Sequence, residues 1–190
     1  EGSRNGRPGK TGVDPGRAER KSLMADDPEV EKALQKAYRL LAARARSEKE
    51  LRSKLKEKQF GSPTIDSVVA RLYELTYLDD EAFARQWARH LAADKLSGNR
   101  RIEISLQEKG IGKTLREQVL AEIRQAVPER EIIRQVIRKK LKGGKLLRQD
   151  GREKRRLAQH LLGKGFTPDL IFEMIRDTEE EYRDDDRQSD

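Results

Sequence analysis

Few side chains in this sequence are spaced for covalent or acid–base chemistry. The two histidines, His90 and His160, each stand beside a leucine on a segment of helical pattern, and neither has a second histidine at the i+4 spacing of a helical metal site. Gly143-Gly144-Lys145 resembles part of a phosphate loop, but the first glycine of that spacing and the Ser or Thr after the lysine are missing. A flexible connector is the simpler reading. Asp79-Asp80, following Tyr77-Leu78, could bind Mg²⁺ or move protons. At the start of a predicted helix such carboxylates serve instead as caps for free amides and interact well with the N-terminal dipole. The chain has no cysteine, which removes disulfides, thiolate metal sites and cysteine nucleophiles, and is compatible with a reducing cytoplasm. No enzyme site can be assembled from these residues, and no metal or cofactor is expected.

What the chain does concentrate is positive charge. Of its 190 residues 40% are charged and only 5% aromatic, and the net charge is +8. That charge is unevenly placed. Residues 177–190 hold eight acidic side chains against two arginines, whereas residues 1–22 hold six basic against three acidic. The body between is therefore strongly basic, a pattern suited to a polyanionic partner, nucleic acid first. Residues 1–22 have almost no large apolar group and predict a disordered basic arm, and residues 178–190 a fraying acidic tail. No apolar run reaches membrane-spanning length and no signal-peptide core is present, so a cytoplasmic protein with no membrane partner is expected.

The cations ride on a repeated unit of roughly fifty residues. Its signature is an apolar pair four apart, then Lys, then a turn with a bulky apolar residue: Leu51, Leu55, Lys58, Phe60; Ile102, Leu106, Lys109, Ile111; Leu157, Leu161, Lys164, Phe166. The apolar period is helical nearly everywhere. Val30, Ala33, Leu34, Ala37, Leu40 and Leu41 mark one face, Ser47-Glu48-Lys49-Glu50 is a capping box, and Pro63 suits the first turn of a third helix presenting Ile65, Val68, Val69 and Leu72. The second copy repeats the plan with Phe83, Trp87 and Leu91, then Ile102 and Leu106, then Leu115, Val119, Leu120 and Ile123. The third has Ile133, Val136, Ile137 and Leu141, then Leu157 and Leu161, then Leu170, Met174 and Ile175. The expected fold is all-α, three tandem three-helix repeats over 23–78, 79–127 and 128–177. A low apolar content favours small local cores and an elongated array.

A helix–turn–helix DNA regulator is one reading of such units. The third helix of the copies is, however, a poor reader of bases: Pro63 to Glu74 has one arginine against two acids, Lys113 to Arg124 three basic against two acidic, and Pro168 to Asp177 one against three. Basic residues gather on the first and second helices. Copy three is richest, with Arg138, Lys139, Lys140, Lys142, Lys145, Arg148, Arg152, Lys154, Arg155 and Arg156. Cations without interleaved aromatics favour phosphate contact that is sequence-independent and salt-sensitive.

Three segments together resemble a known family, the RecX regulators of the recombinase RecA. They are Ala42-Ala43-Arg44-Ala45-Arg46-Ser47-Glu48-Lys49-Glu50-Leu51 with Leu55; Tyr77-Leu78-Asp79-Asp80 with Phe83-Ala84; and Gly98-Asn99-Arg100-Arg101-Ile102 with Leu106 and Lys109-Gly110-Ile111. The similarity runs from about Val30 to Ile175. Thr76 stands where the family usually has Gly, and Gln59 where Gly is common. The resemblance implies a curved array that lies in the groove of the RecA filament on single-stranded DNA and restrains ATP hydrolysis, strand exchange and LexA cleavage, without a nucleotide site of its own. The partners are then the RecA filament and single- or double-stranded DNA, and a monomer is the expected state. On this reading Arg44, Arg46, Arg89, Arg100, Arg101, Lys139, Lys140, Arg152, Lys154, Arg155 and Arg156 contact phosphate or acidic protein surface.

Overall fold

The computed structural model describes residues 27–140 and 151–187, with side chains to 181. Among them are nine α-helices and no strand: α1 Pro28–Ala43, α2 Glu48–Lys56, α3 Ser62–Glu74, α4 Asp80–Arg89, α5 Asn99–Glu108, α6 Lys113–Ala126, α7 Glu129–Lys140, α8 Gly151–Gly163 and α9 Pro168–Arg187. They fall into three bundles of three. A π-helical turn, His90–Asp94, continues α4. The arm at 1–22, the connector at Gly143-Gly144 and the last three residues of the tail lie outside the described residues. Helix α9 runs on through most of the stretch read from sequence as an acidic tail. Its Thr178 is buried and donates to the Met174 carbonyl at 2.7 Å, and Glu179 pairs with Lys154 of α8, so the first residues of that stretch belong to the third bundle. No helix among the described residues is long and apolar enough to cross a membrane.

The helices form two compact units. One takes residues 27–44 and 51–77, the other residues 45–50, 78–140 and 151–187. In the first, α1 packs on α3, and Val30, Ala33, Leu34, Ala37, Leu51, Leu55, Ile65, Val68, Val69 and Leu72 are buried. In the second, the apolar content is not divided into one small core per bundle, as composition suggests. Phe83, Leu91, Ile102, Leu106, Ile133, Ile137, Leu161, Phe166 and Met174 belong to one continuous core shared by the second and third bundles.

Every middle helix ends in the same turn. The backbone N–H groups of Phe60, Ile111 and Phe166 donate to the carbonyls of Leu55, Leu106 and Leu161 at 3.3, 3.0 and 3.3 Å. Those of Gln59, Gly110 and Gly165 donate to Lys56, Gln107 and Leu162 at 2.9, 3.0 and 2.9 Å. The residue that makes the reversal possible is left-handed, with φ of 66°, 86° and 87°. This double bond satisfies carbonyls that the helix end would leave open, and it brings the bulky residue after the turn back toward the last buried leucine. Lys58, Lys109 and Lys164 sit at the cap, where a cation meets the negative end of the helix dipole. The repeat signature is thus a helix-termination signature.

The same turn closes α3, with Tyr77 donating to the Leu72 carbonyl at 2.9 Å and Thr76 at φ 57°. Both departures from the family pattern, Gln59 and Thr76, therefore occupy left-handed positions that glycine takes without steric cost. A side chain there costs about 1–2 kcal/mol, and a β-branched one is the worse case. Thr76→Gly is expected to raise stability by about 1 kcal/mol, read as a higher urea midpoint with unchanged slope.

In the second unit the turns also receive other segments of that unit, residues 45–50 at one and the start of α5 at the other. Gly98 N–H donates to the Lys164 carbonyl at 2.8 Å, and Arg100 N–H to that of Gly165 at 3.3 Å. A Cβ on Gly98 would lie 2.5 Å from the Gly165 carbonyl, and one on Gly110 would lie 2.7 Å from Lys49 Cβ. Each seat is reinforced by a carboxylate from the start of the next bundle. Asp80 accepts from Glu48 N–H at 2.7 Å, and Glu129 accepts from Asn99 N–H at 2.7 Å and from its Nδ2 at 2.6 Å. Burial pushes the Asp80 carboxyl up, an effect that the bond from Glu48 opposes. Gly98→Ala should cost about 1–3 kcal/mol through overpacking against backbone that cannot yield. Gly163→Ala, with no atom within 4 Å of the added carbon, should be neutral or stabilising. Chemical denaturation of the two variants checks both.

Candidate nucleic-acid interface

The two seats differ in charge. At residues 45–50 the cap lysine Lys109 forms an ion pair with Glu50 at 2.5 Å and lies over the Trp87 ring, 4.9 Å from its centroid. At the other seat the equivalent cap lysine, Lys164, pairs with no carboxylate among the described residues. Its Nζ donates to the Lys95 carbonyl at 2.5 Å, and Arg101 donates to the Gly163 carbonyl at 3.0 Å. Burial lowers the proton affinity of Lys164, and the neighbouring charges of Arg101, Lys139, Lys140 and Lys95 lower it further. Five cations from four elements thus share one surface.

Local geometry explains how they meet. The π turn after α4 and the left-handed Leu96, buried with φ 50°, redirect the chain so that Lys95 and Ser97 face the turn between α8 and α9. Arg100 and Arg101 lie in the first turn of α5, and Lys139 and Lys140 end α7. Between the second and third bundles Arg100 and Arg101 border an open cleft of about 1120 Å³. Its lining includes Lys95, Arg100, Arg101 and Lys164, both histidines, and a single carboxylate, Glu108. Trp87, Ile104 and Leu162 supply apolar wall; Ile104 is 47% and Leu162 48% exposed. The indole is fixed by a 2.9 Å bond to Ser105 Oγ and by stacking near Phe83.

The residues singled out from sequence are therefore distributed over several places. Arg100, Arg101, Lys139 and Lys140 come together around Lys164. Arg89 is exposed at the end of α4, and Arg152, Arg155 and Arg156 are exposed on α8. Lys154 is engaged with Glu179, which reduces its capacity for an outside anion. Arg44 and Arg46 lie in the connection between α1 and α2, in different units. Lys142, Lys145 and Arg148 fall outside the described residues. Sequence reasoning passed over Lys95, Lys164 and the apolar wall. Lys164 carries a legible signal, its place in the repeat; Lys95 carries none, because only the π turn brings it into the cluster.

His160 lines the same cleft. Burial holds its imidazole below the ordinary 6.5, and the nearby Lys140 and Lys164 ammonium groups add to the effect. The unfolded chain then binds more protons than the folded one just below pH 6.5, so stability contributed by this group is present above that value and lost as pH falls. His160→Gln should remove this penalty. Its urea midpoint relative to the parent protein is expected to rise between pH 7.5 and 5.5.

Comparison with known proteins agrees with this architecture. Models for the first, second and third three-helix domains of RecX match residues 33–72, 79–120 and 128–175. A regulatory protein RecX of Mycobacterium sp. strain JLS is 35% identical over 142 residues, 72% of this chain and 76% of that one. That of Chlorobaculum tepidum is 34% identical over 151 residues, 80% of this chain and 91% of the relative. The crystal structure of RecX from Lactobacillus salivarius superposes with a TM-score of 0.67 at 22% identity, covering 80% of this chain and 97% of that one, and so shares the fold. With all three domain models placed in order along its length, this chain belongs to the RecX family of regulatory proteins.

Proposed function

We propose that this protein is a non-enzymatic, cytoplasmic regulator that binds the RecA filament on single-stranded DNA and restrains its ATP hydrolysis, strand exchange and promotion of LexA cleavage. Family membership supports the partner. The observation that carries the mode of binding is the cation cluster on α5, α7 and the turns around Lys95 and Lys164, where among the described residues no carboxylate takes the place of the one that neutralises the equivalent lysine at the other seat. Like charges held together in a folded protein are favourable only where an anion answers them, and a polymer of phosphates does so with release of its counterions. The exposed Arg152, Arg155 and Arg156 extend the cationic surface of the third bundle, and contacts of this kind are independent of base sequence. A helix–turn–helix reader would instead need its cations on α3, α6 or α9.

RecA-driven ATP turnover on single-stranded DNA is expected to fall when the protein is added and to be restored as salt rises. The combined variant Arg100→Glu, Arg101→Glu, Lys139→Glu and Lys140→Glu, folded by circular dichroism, should need about tenfold or more protein for the same restraint, given the strong dependence of such binding on phosphate contacts. Unchanged turnover at saturating concentrations of the parent protein overturns the proposal.

A further inference from the structure

We propose that the cleft between the second and third bundles is a seat for unpaired nucleotides, with the phosphodiester against Lys95, Arg101 and Lys164 and the base against Trp87, Ile104 and Leu162. This rests on the reading of the protein as a DNA-contacting regulator and names the form of nucleic acid that the cationic surface takes. Three observations meet in it. The seat is built like its neutral counterpart at Lys109 and Glu50, but among the described residues no carboxylate pairs with Lys164 or Arg101, which donate only to main-chain carbonyls, so an anion completes it. The cleft wall next to those cations holds two half-exposed aliphatic side chains and the edge of a fixed indole, surface that a phosphate ion or a duplex, with its base faces stacked inside, leaves in water. An unpaired nucleotide presents both chemistries within one repeat of its backbone, and apolar packing of the base against these side chains adds to phosphate contact without reading sequence.

A bound strand would also hold the two bundles together. Its charge relieves the repulsion among groups contributed by both, while the backbone bonds from Gly98 and Arg100 already fix their register. Binding and the packing of this junction are then linked, and the folded state gains stability as ligand saturates.

Trp87 is the sole tryptophan of the chain and lines the cleft, so its fluorescence reports on it directly. The full chain, with no RecA present, is titrated with a fluorescently labelled 15-mer of thymidylate, following both tryptophan emission and label anisotropy. The same is done with an abasic 15-mer, a duplex of equal length and a 15-residue polyglutamate peptide. Saturable binding of the thymidylate strand is expected, with the abasic strand and the duplex weaker by about tenfold, the scale of burying one base face against apolar side chains. Lys164→Ala with Arg101→Ala should weaken both the thymidylate and the abasic strand. Ile104→Ala with Leu162→Ala, at exposed positions, should weaken the thymidylate strand alone. Equal affinity for thymidylate, abasic and duplex forms would reduce the cleft to a general polyanion patch, and tighter binding of polyglutamate would make it a protein-docking site. Either result, or anisotropy binding that the variants leave unchanged, overturns the proposal. Because RecA is absent, binding here without restraint of RecA turnover would keep the seat and sink the regulatory reading, and restraint without binding would do the reverse.

Discussion

The close backbone approach at Gly98 and Gly165 is the contact on which the second unit depends. Two main-chain bonds cross it, and neither partner has room for a Cβ, so the turn after α8 is pressed onto the start of α5. Side-chain packing alone tolerates small slides, whereas paired amides and carbonyls fix register to within a fraction of an ångström. With register fixed, the second and third bundles can share a single core, and Arg101, Lys95 and Lys164 are brought together whatever their mutual repulsion.

That repulsion is borne because other terms at the junction are favourable. Glu129 satisfies two donors of Asn99, Arg101 and Lys164 each place a donor on a carbonyl, and the buried leucines and isoleucines around Leu161 contribute hydrophobic stabilisation that exposed charges, screened by water, do not cancel. The contrast with Lys109 and Glu50 is instructive. One structural position, the cap lysine of a repeated helix, is neutralised at one seat and left as part of a cationic cluster at the other. Repetition fixes the scaffold, and the identity of one residue at the facing helix, Glu50 or Arg101, decides what the seat can attract.

A helical π turn next to the cleft serves the same end. By inserting an extra residue into the last turn of α4 it breaks the regular phase, and the left-handed Leu96 completes the redirection. Without it, Lys95 would continue along the helix. Both features carry conformational cost, and they are concentrated where cations of different bundles meet.

Much of this molecule was legible in its residues. Apolar spacing at i, i+3, i+4 and i+7 dictates helices because only that period gathers the buried side chains on one face, and the triple occurrence of an aliphatic pair four apart with Lys and a turn marks three equivalent helix ends, each closed by local hydrogen bonds. The family pattern was legible for the same reason, since its most recognisable residues, Asp79-Asp80 and Gly98 among them, are caps and close approaches with strict local demands. What only the tertiary structure decided were the relations between bundles: that the second and third share one core, and that Lys95 and Lys164 join Arg101 beside an apolar wall. Those depend on contacts between residues some sixty to seventy positions apart in the chain, such as Arg101 with Gly163 and Lys164 with Lys95. Local periodicity states which face of a helix is buried, but carries no information about which distant charge will stand opposite it.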